Sequence, residues 1–84
     1  MAYKIGYHLY DIPKGELGER SKIVEEFKEW QDACEQDCKV MELVELSDLI
    51  GAIELYTNKH YNLTLNDLIK MKDITERAFE NGRR

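Results

Sequence analysis

The sequence is short of cysteine, of positive charge and of long apolar runs, and each shortage excludes a class of protein. Its two cysteines, Cys34 and Cys38, are four positions apart on one expected helix, without further Cys or His at zinc spacing. We therefore expect small apolar residues of a reduced protein and not a disulfide framework. No apolar stretch approaches the length of a membrane span, and the N-terminus lacks the apolar core of a signal peptide. These absences predict a soluble, cytoplasmic protein that does not bind a membrane.

Positive charge is scarce, since 12 Lys and Arg stand against 17 Asp and Glu, for a net charge of −5. Without a broad basic face, non-specific binding to nucleic acid is disfavoured, and an anionic ligand needs a bound metal or a local cluster of cations. With 43% hydrophobic and 35% charged residues, the 84-residue chain has the composition of one globular domain. A domain of this size buries only about 60–65% of its unfolded surface, so a partner that adds core would stabilise it.

The pattern of apolar residues predicts an all-α fold in a single domain over residues 1–84. We expect a short extended arm at residues 1–17 and helices at residues 18–37, 40–59 and 64–80. The first helix carries an apolar stripe formed by Ile23, Phe27, Trp30 and Cys34, which we expect to face the core, with Glu26 and Glu29 at its border. The break after it is short, so the first two helices form an antiparallel hairpin. Before the third helix, Thr64 and Asp67 resemble a capping box.

The arm offers two readings. Its apolar and aromatic residues alternate with others, as in a strand, until Pro13, Gly15 and Gly18 interrupt the pattern. The tyrosines either pack on the helices or line a pocket for a base; they are Tyr3, Tyr7 and Tyr10. His8 has no partner at metal-binding spacing and receives no role.

The second helix is apolar over most of its circumference, which is typical of a helix that is buried on several sides. A three-helix monomer does not cover such a helix. We therefore predict a homodimer or tetramer, most simply a two-fold dimer that completes a four-helix bundle. Gly51 and Ala52 permit a close approach of helices there.

Acidic residues recur at spacings of three on the first two helices: Glu26 and Glu29, then Glu45 and Asp48. Such residues lie one turn apart on one face, and the hairpin brings the two pairs together. One reading is a solvated acidic face. The other, which we favour because the second pair interrupts an apolar run, is a metal site. Neither pair contains the His of a di-iron bundle, and oxygen-only ligands suit Mg²⁺ or Mn²⁺.

The segment Lys22-Ile23-Val24-Glu25-Glu26-Phe27-Lys28-Glu29, followed by Glu45-Leu46-Ser47-Asp48, resembles the Glu-Glu-x-x-Glu … Glu-x-x-Asp signature of MazG-like nucleoside triphosphate pyrophosphohydrolases. That all-α superfamily also contains dimeric dUTPases, dCTP pyrophosphatases and phosphoribosyl-ATP pyrophosphohydrolase. The resemblance covers residues 18–60, and Phe79 with Gly82-Arg83 is similar to the ending of small phage-encoded members.

The resemblance implies Mg²⁺-dependent cleavage of a nucleoside triphosphate to the monophosphate and pyrophosphate. It implies metal ligation by Glu26, Glu29, Glu45 and Asp48. Glu25 would lie behind these ligands and support them, or would help to orient the attacking water. We add Lys22, Lys72 and Arg83 as candidate phosphate contacts. The alternative is a catalytically silent helical dimer that binds a nucleotide or a protein. The preferred base and the role of Glu42 stay open.

Overall fold

A computed structural model describes residues 8–80 and residue 82, apart from the side chains at positions 78 and 79. The described chain is all-α, with three helices and no strand: α1 (Arg20–Glu35), α2 (Lys39–Tyr61) and α3 (Leu65–Glu80). The predicted fold class is thus confirmed, and each helix end lies within two residues of its predicted position. The alternation predicted for the arm falls mostly on residues 1–7, which lie outside the described residues.

The helix ends follow from local hydrogen bonds. Asp37 takes a left-handed conformation (φ 56°) after α1, and its N–H donates to the Cys34 carbonyl at 3.0 Å. Asn62 ends α2 in the same way, as its short polar side chain allows. At the start of α3, the Thr64 N–H donates to Asp67 Oδ2 at 2.9 Å, and the Asp67 N–H donates to Thr64 Oγ1 at 3.1 Å. The predicted capping box is therefore present.

Helices α1 and α2 pack extensively on each other as a hairpin, whereas α3 makes few contacts with α2. Within the described residues, the buried apolar side chains of this hairpin are Ala33 and Ala52 alone. The other residues buried on α1 are acidic: Glu25, Glu26 and Asp32. The buried side of α1 is thus lined by carboxylates, of which Glu26 meets α2 while Glu25 and Asp32 contact the segment before α1.

This arrangement corrects the predicted core of α1. The apolar stripe was expected to face inward with the acidic residues at its border, yet Phe27 is 43% exposed while Glu26 is 5% exposed. The acidic residues of α1 are buried against α2 and the segment before α1, and the apolar stripe is left partly in solvent. On α2, Val40 and Leu43 are also exposed, at 70% and 68%. A periodic apolar pattern identifies a buried face but does not say whether the same chain or another one buries it.

The segment before α1 is held against the hairpin by carboxylates. Asp32, 1% exposed, accepts N–H groups from Leu9 at 2.8 Å and Tyr10 at 3.0 Å. The Tyr10 hydroxyl donates to Glu35 at 2.5 Å. Further along, the approach is so close that a Cβ on Gly15 would lie 2.3 Å from the Ser21 carbonyl oxygen. The segment therefore packs closely against α1.

In the part of the chain that the structure describes, no helix combines the length and apolar character that crossing a membrane requires.

Candidate metal centre

Four carboxylates meet between α1 and α2. The structure brings Glu26, Glu45 and Asp48 together, because one oxygen of each lies within 4.8 Å of the others. Glu29, whose side chain is 14% exposed, is hydrogen-bonded to both Glu45 and Glu26. Glu26 and Glu45 are buried, whereas Asp48 is exposed. The inner part of the centre thus consists of buried carboxylates, and the carboxylate of Asp48 lies at its exposed edge.

Glu26 belongs to a second close group as well, with Glu25 and Glu29. The four predicted ligands therefore form two overlapping sets that share Glu26, and not one set with every oxygen equally close. Which set suits a cation depends on how the oxygens of Glu25 are already used.

Glu25 is bound by the chain itself, chiefly through Oε1. Its carboxylate accepts the Gly15 N–H at 2.7 Å and the Lys22 ammonium at 3.1 Å, with the Lys14 ammonium at 3.8 Å. Burial alone raises the pKa of Glu25, but the Gly15 N–H and Lys22 outweigh it and the net pKa is lowered. Glu25 is thus an ionised anchor for the segment before α1, which leaves Glu26, Glu45 and Asp48, with Glu29, as the set that is open to a cation.

Two buried oxygens of that set lack partners. Oε1 of Glu26 and Oε1 of Glu45 are inaccessible to solvent and have no hydrogen-bond partner in the described chain. A buried acceptor without a partner costs free energy, and the cost is larger when the group is charged. Each residue comes from a different helix, and an oxygen of one lies within 4.8 Å of an oxygen of the other, so one ion between the helices would contact both residues.

The pKa values of Glu29 and Glu45 are shifted because these buried carboxylates lie close to others. Burial, then the charge of Glu26 and the hydrogen bond with Glu45, raises the pKa of Glu29 to about 8. Burial also raises the pKa of Glu45, helped by the charges of Asp48 and Glu26 and opposed by the hydrogen bond to Glu29. Burial and neighbouring negative charge disfavour the ionised form of both groups, and a bound cation would offset that effect. The residues present therefore fit a hard divalent ion such as Mg²⁺ or Mn²⁺, for which an all-oxygen donor set is suited.

The predicted phosphate contacts are dispersed. Lys22 lies at the centre, with its Nζ 3.1 Å from both Glu25 and Glu26. Lys72 lies on α3 and pairs there with Asp73 at 3.1 Å and Glu76 at 3.2 Å. No ion pair of the described residues joins Lys72 to the centre, and Arg83 lies outside the described residues. Only Lys22 among the three is placed beside the carboxylates.

Glu42 lies one turn before Glu45, near the hairpin turn. Its carboxylate is 3.9 Å from the Lys39 ammonium and is hydrogen-bonded to the Cys34 thiol. Burial, followed by the charge of Glu42, raises the pKa of Cys34. Glu42 therefore serves the turn and is not part of either close carboxylate group.

Two residues of the site were missed by the sequence reasoning. Asp32 continues the acidic line of α1 one turn beyond Glu29, a spacing of three that was visible in the sequence. His8 was given no role, yet its Nε2 lies 4.0 Å from Glu29 Oε2 and its Nδ1 3.9 Å from Asp32 Oδ1. Only the fold of the arm brings His8 there, and no spacing in the sequence encodes that contact.

Comparison with protein-family models, with curated proteins and with solved structures found no match. Over the residues that the structure describes, the chain is a small all-α protein with three helices and with acidic clusters that could hold a metal ion.

Proposed function

We propose that this protein is a Mg²⁺-dependent nucleotide pyrophosphohydrolase that cleaves a nucleoside triphosphate to the monophosphate and pyrophosphate. The proposal joins the motif, which resembles that of MazG-like enzymes, to the carboxylate centre between α1 and α2. The observation that carries it is the pair of buried, unpartnered oxygens on Glu26 and Glu45. A solvated acidic face does not leave such oxygens buried, because exposed carboxylates are satisfied by water.

A divalent ion is supported by the charge of the centre as well. Glu26, Glu45 and Asp48 converge within ligand distance, with Glu29 hydrogen-bonded to two of them. Ions such as Mg²⁺ work with one or more protein carboxylates and with substrate phosphates. When bound, the ion would polarise the phosphoryl oxygens and lower the pKa of a coordinated water.

The roles of the remaining residues follow from their contacts. Glu25 holds the Gly15 backbone and Lys22, so it positions the loop and the ammonium and does not contact the ion. The Lys22 ammonium forms one ion pair with Glu25 and a second with Glu26. Once Glu26 is committed to a cation, the Lys22 ammonium is available to a phosphate oxygen on the same side.

A homodimer completes the proposal. The described hairpin buries only two apolar residues, both alanines, while large apolar side chains on α2 stay exposed, Val40 and Leu43 most of all. A standard interface buries about 800 Å² per partner, a modest part of the 6342 Å² that this chain exposes. A second copy packed on the outer face of α2, the face that carries the exposed Val40 and Leu43, would supply the core that the single chain lacks, as in a four-helix bundle.

The test is pyrophosphate release from a panel of ribo- and deoxyribonucleoside triphosphates with Mg²⁺. We expect release with at least one base, and a loss of at least about 100-fold in Glu45→Gln, since one ligand and its charge are removed. Glu54→Gln is the matched control, because Glu54 lies on the exposed side of the same helix. Its activity should equal that of the wild type.

Two results would contradict the proposal. If no nucleoside triphosphate of the panel yields pyrophosphate, the protein is not the proposed enzyme. Thermal stabilisation by Mg²⁺ and a nucleotide would then favour the catalytically silent binding protein. Equal activity of Glu45→Gln and the wild type would place the chemistry elsewhere.

A further inference from the structure

The segment before α1 brings a histidine to the carboxylate centre. His8 is 19% exposed at its side chain, with Nε2 4.0 Å from Glu29 Oε2. It is also close enough to Glu45 for its charge to lower the pKa of that carboxyl group. Among the described residues the close ligand groups are built from Glu25, Glu26, Glu29, Glu45 and Asp48, without His8. His8 is therefore at the edge of the centre and not in its ligand set.

This position is fixed by Asp32. The Asp32 carboxylate is 1% exposed and accepts the backbone N–H groups of Leu9 and Tyr10, the two residues that follow His8. The Gln36 amide donates to the same carboxylate at 2.6 Å. Burial raises the pKa of Asp32, but the Gln36, Leu9 and Tyr10 donors outweigh it, and the net pKa is lowered. An ionised, buried carboxylate with three donors is a strong anchor, and here it anchors the backbone beside His8.

Donors lie at both ends of the centre. Lys22 is beside Glu26, and His8 is beside Glu29, one turn further along α1. Lys22 and Glu29 are seven residues apart on one helix, which corresponds to about 10 Å along its axis. A polyphosphate held by an ion at the carboxylates would bring further negative charge beside them, and a donor at either end of the centre would offset the resulting repulsion.

We propose that His8 is a binding residue for the phosphate chain of the ligand, at the Glu29 end of the centre, and that Asp32 is the residue that positions it. This inference rests on the proposed function, since it requires a phosphate ligand held by a divalent ion. It assigns the segment before α1 a part in ligand recognition: a ring N–H of His8 donates to a phosphate oxygen. Asp32 positions His8 through the backbone of Leu9 and Tyr10 and through its own carboxylate, whose Oδ1 lies 3.9 Å from His8 Nδ1.

The experiment measures two bindings on the full chain, with Mn²⁺ alone as the first probe and inorganic tripolyphosphate at saturating Mg²⁺ as the second. In His8→Ala we expect Mn²⁺ affinity within about twofold of the wild type and tripolyphosphate affinity reduced about 10- to 100-fold, the loss typical of one hydrogen bond to a charged group. Asp32→Asn, which keeps one acceptor oxygen, should show a smaller loss of tripolyphosphate affinity and the same Mn²⁺ affinity.

His60→Ala is the matched control. His60 is the second histidine of the chain and pairs with Glu19 at 3.1 Å, at the other end of the hairpin. Its replacement should leave both affinities unchanged. Circular dichroism at equal temperature establishes that each variant is folded.

The outcomes separate the two proposals. If the wild type binds both probes and His8→Ala binds tripolyphosphate equally well, His8 has no such role and the proposed function stands. If His8→Ala loses Mn²⁺ affinity, His8 is a metal ligand and its assignment to phosphate is wrong. If the wild type binds neither probe, the metal centre itself fails and the inference fails with it.

Discussion

Removing the charge of Glu29 should make the metal-free protein more stable above neutral pH. In the unfolded chain a Glu loses its proton near pH 4.5, whereas burial and the neighbouring Glu26 and Glu45 raise the folded pKa of Glu29 to about 8. The folded state thus binds this proton more tightly than the unfolded state does. The resulting stability is fully present below about pH 4.5 and is lost as the pH rises through about 8.

The magnitude follows from the same pKa values. They differ by about 3.5, and each pKa unit corresponds to 1.36 kcal/mol, which gives an upper limit of about 5 kcal/mol. The side chain is 14% exposed and shares its proton with Glu45, so water and coupling reduce the effect. We expect about 2 kcal/mol to be lost between pH 5 and pH 9. Glutamine imitates the protonated acid at every pH, so Glu29→Gln should abolish most of this loss.

The assay is unfolding by urea at pH 5, 7 and 9 in the presence of a chelator. Glu29→Gln should be about 2 kcal/mol more stable than the wild type at pH 9 and nearly equal to it at pH 5. Glu54→Gln, on the exposed side of α2, should follow the wild type at every pH. A Glu29→Gln variant that is less stable at pH 9, or as pH-dependent as the wild type, would refute the account of a crowded carboxylate centre.

Three further predictions concern the oligomer, the loop and the start of α3. A Cβ at Gly51 meets nothing within 4 Å in the single chain, so Gly51→Leu should not unfold the hairpin. If the outer face of α2 is the interface, the variant should weaken self-association at least about tenfold in sedimentation. An unchanged dimer would contradict this. At Gly15 a Cβ would meet the Ser21 backbone at 2.3 Å, so Gly15→Ala should displace the loop from Glu25 and lower stability by about 1–3 kcal/mol in urea unfolding, and an unaltered midpoint would contradict the packing. Thr64→Ala removes the hydroxyl that accepts the Asp67 N–H and should lower the free energy of unfolding by about 1 kcal/mol. An unchanged midpoint of urea unfolding would mean that this hydrogen bond adds no stability.

The sequence was sufficient for the helices and for the convergence of the acidic pairs. Helix periodicity and short breaks are local signals, and equal distances from a hairpin turn place Glu29 opposite Glu45. The capping box of Thr64 and Asp67 was likewise legible, because both partners lie within four residues.

The remaining features depend on contacts that no spacing encodes. His8 is brought to the centre because the backbone N–H groups of Leu9 and Tyr10 donate to the side chain of Asp32, more than twenty positions away. The apolar stripe of α1 was read as the inner face, yet Glu26 is buried and Phe27 is not. That error arose because an amphipathic pattern is the same whether the apolar face meets the same chain or a second one. Lys72 was assigned by charge alone, and its own helix supplies its partners.

The central claim is that one divalent ion lies between Glu26 and Glu45. The most direct measurement is anomalous diffraction from crystals of the protein soaked in Mn²⁺. The account predicts a manganese peak about 2.1–2.3 Å from an oxygen of each of these two residues, with Asp48 or Glu29 beside it. A map without a peak there, in crystals where the same carboxylates lie turned apart toward solvent, would contradict it.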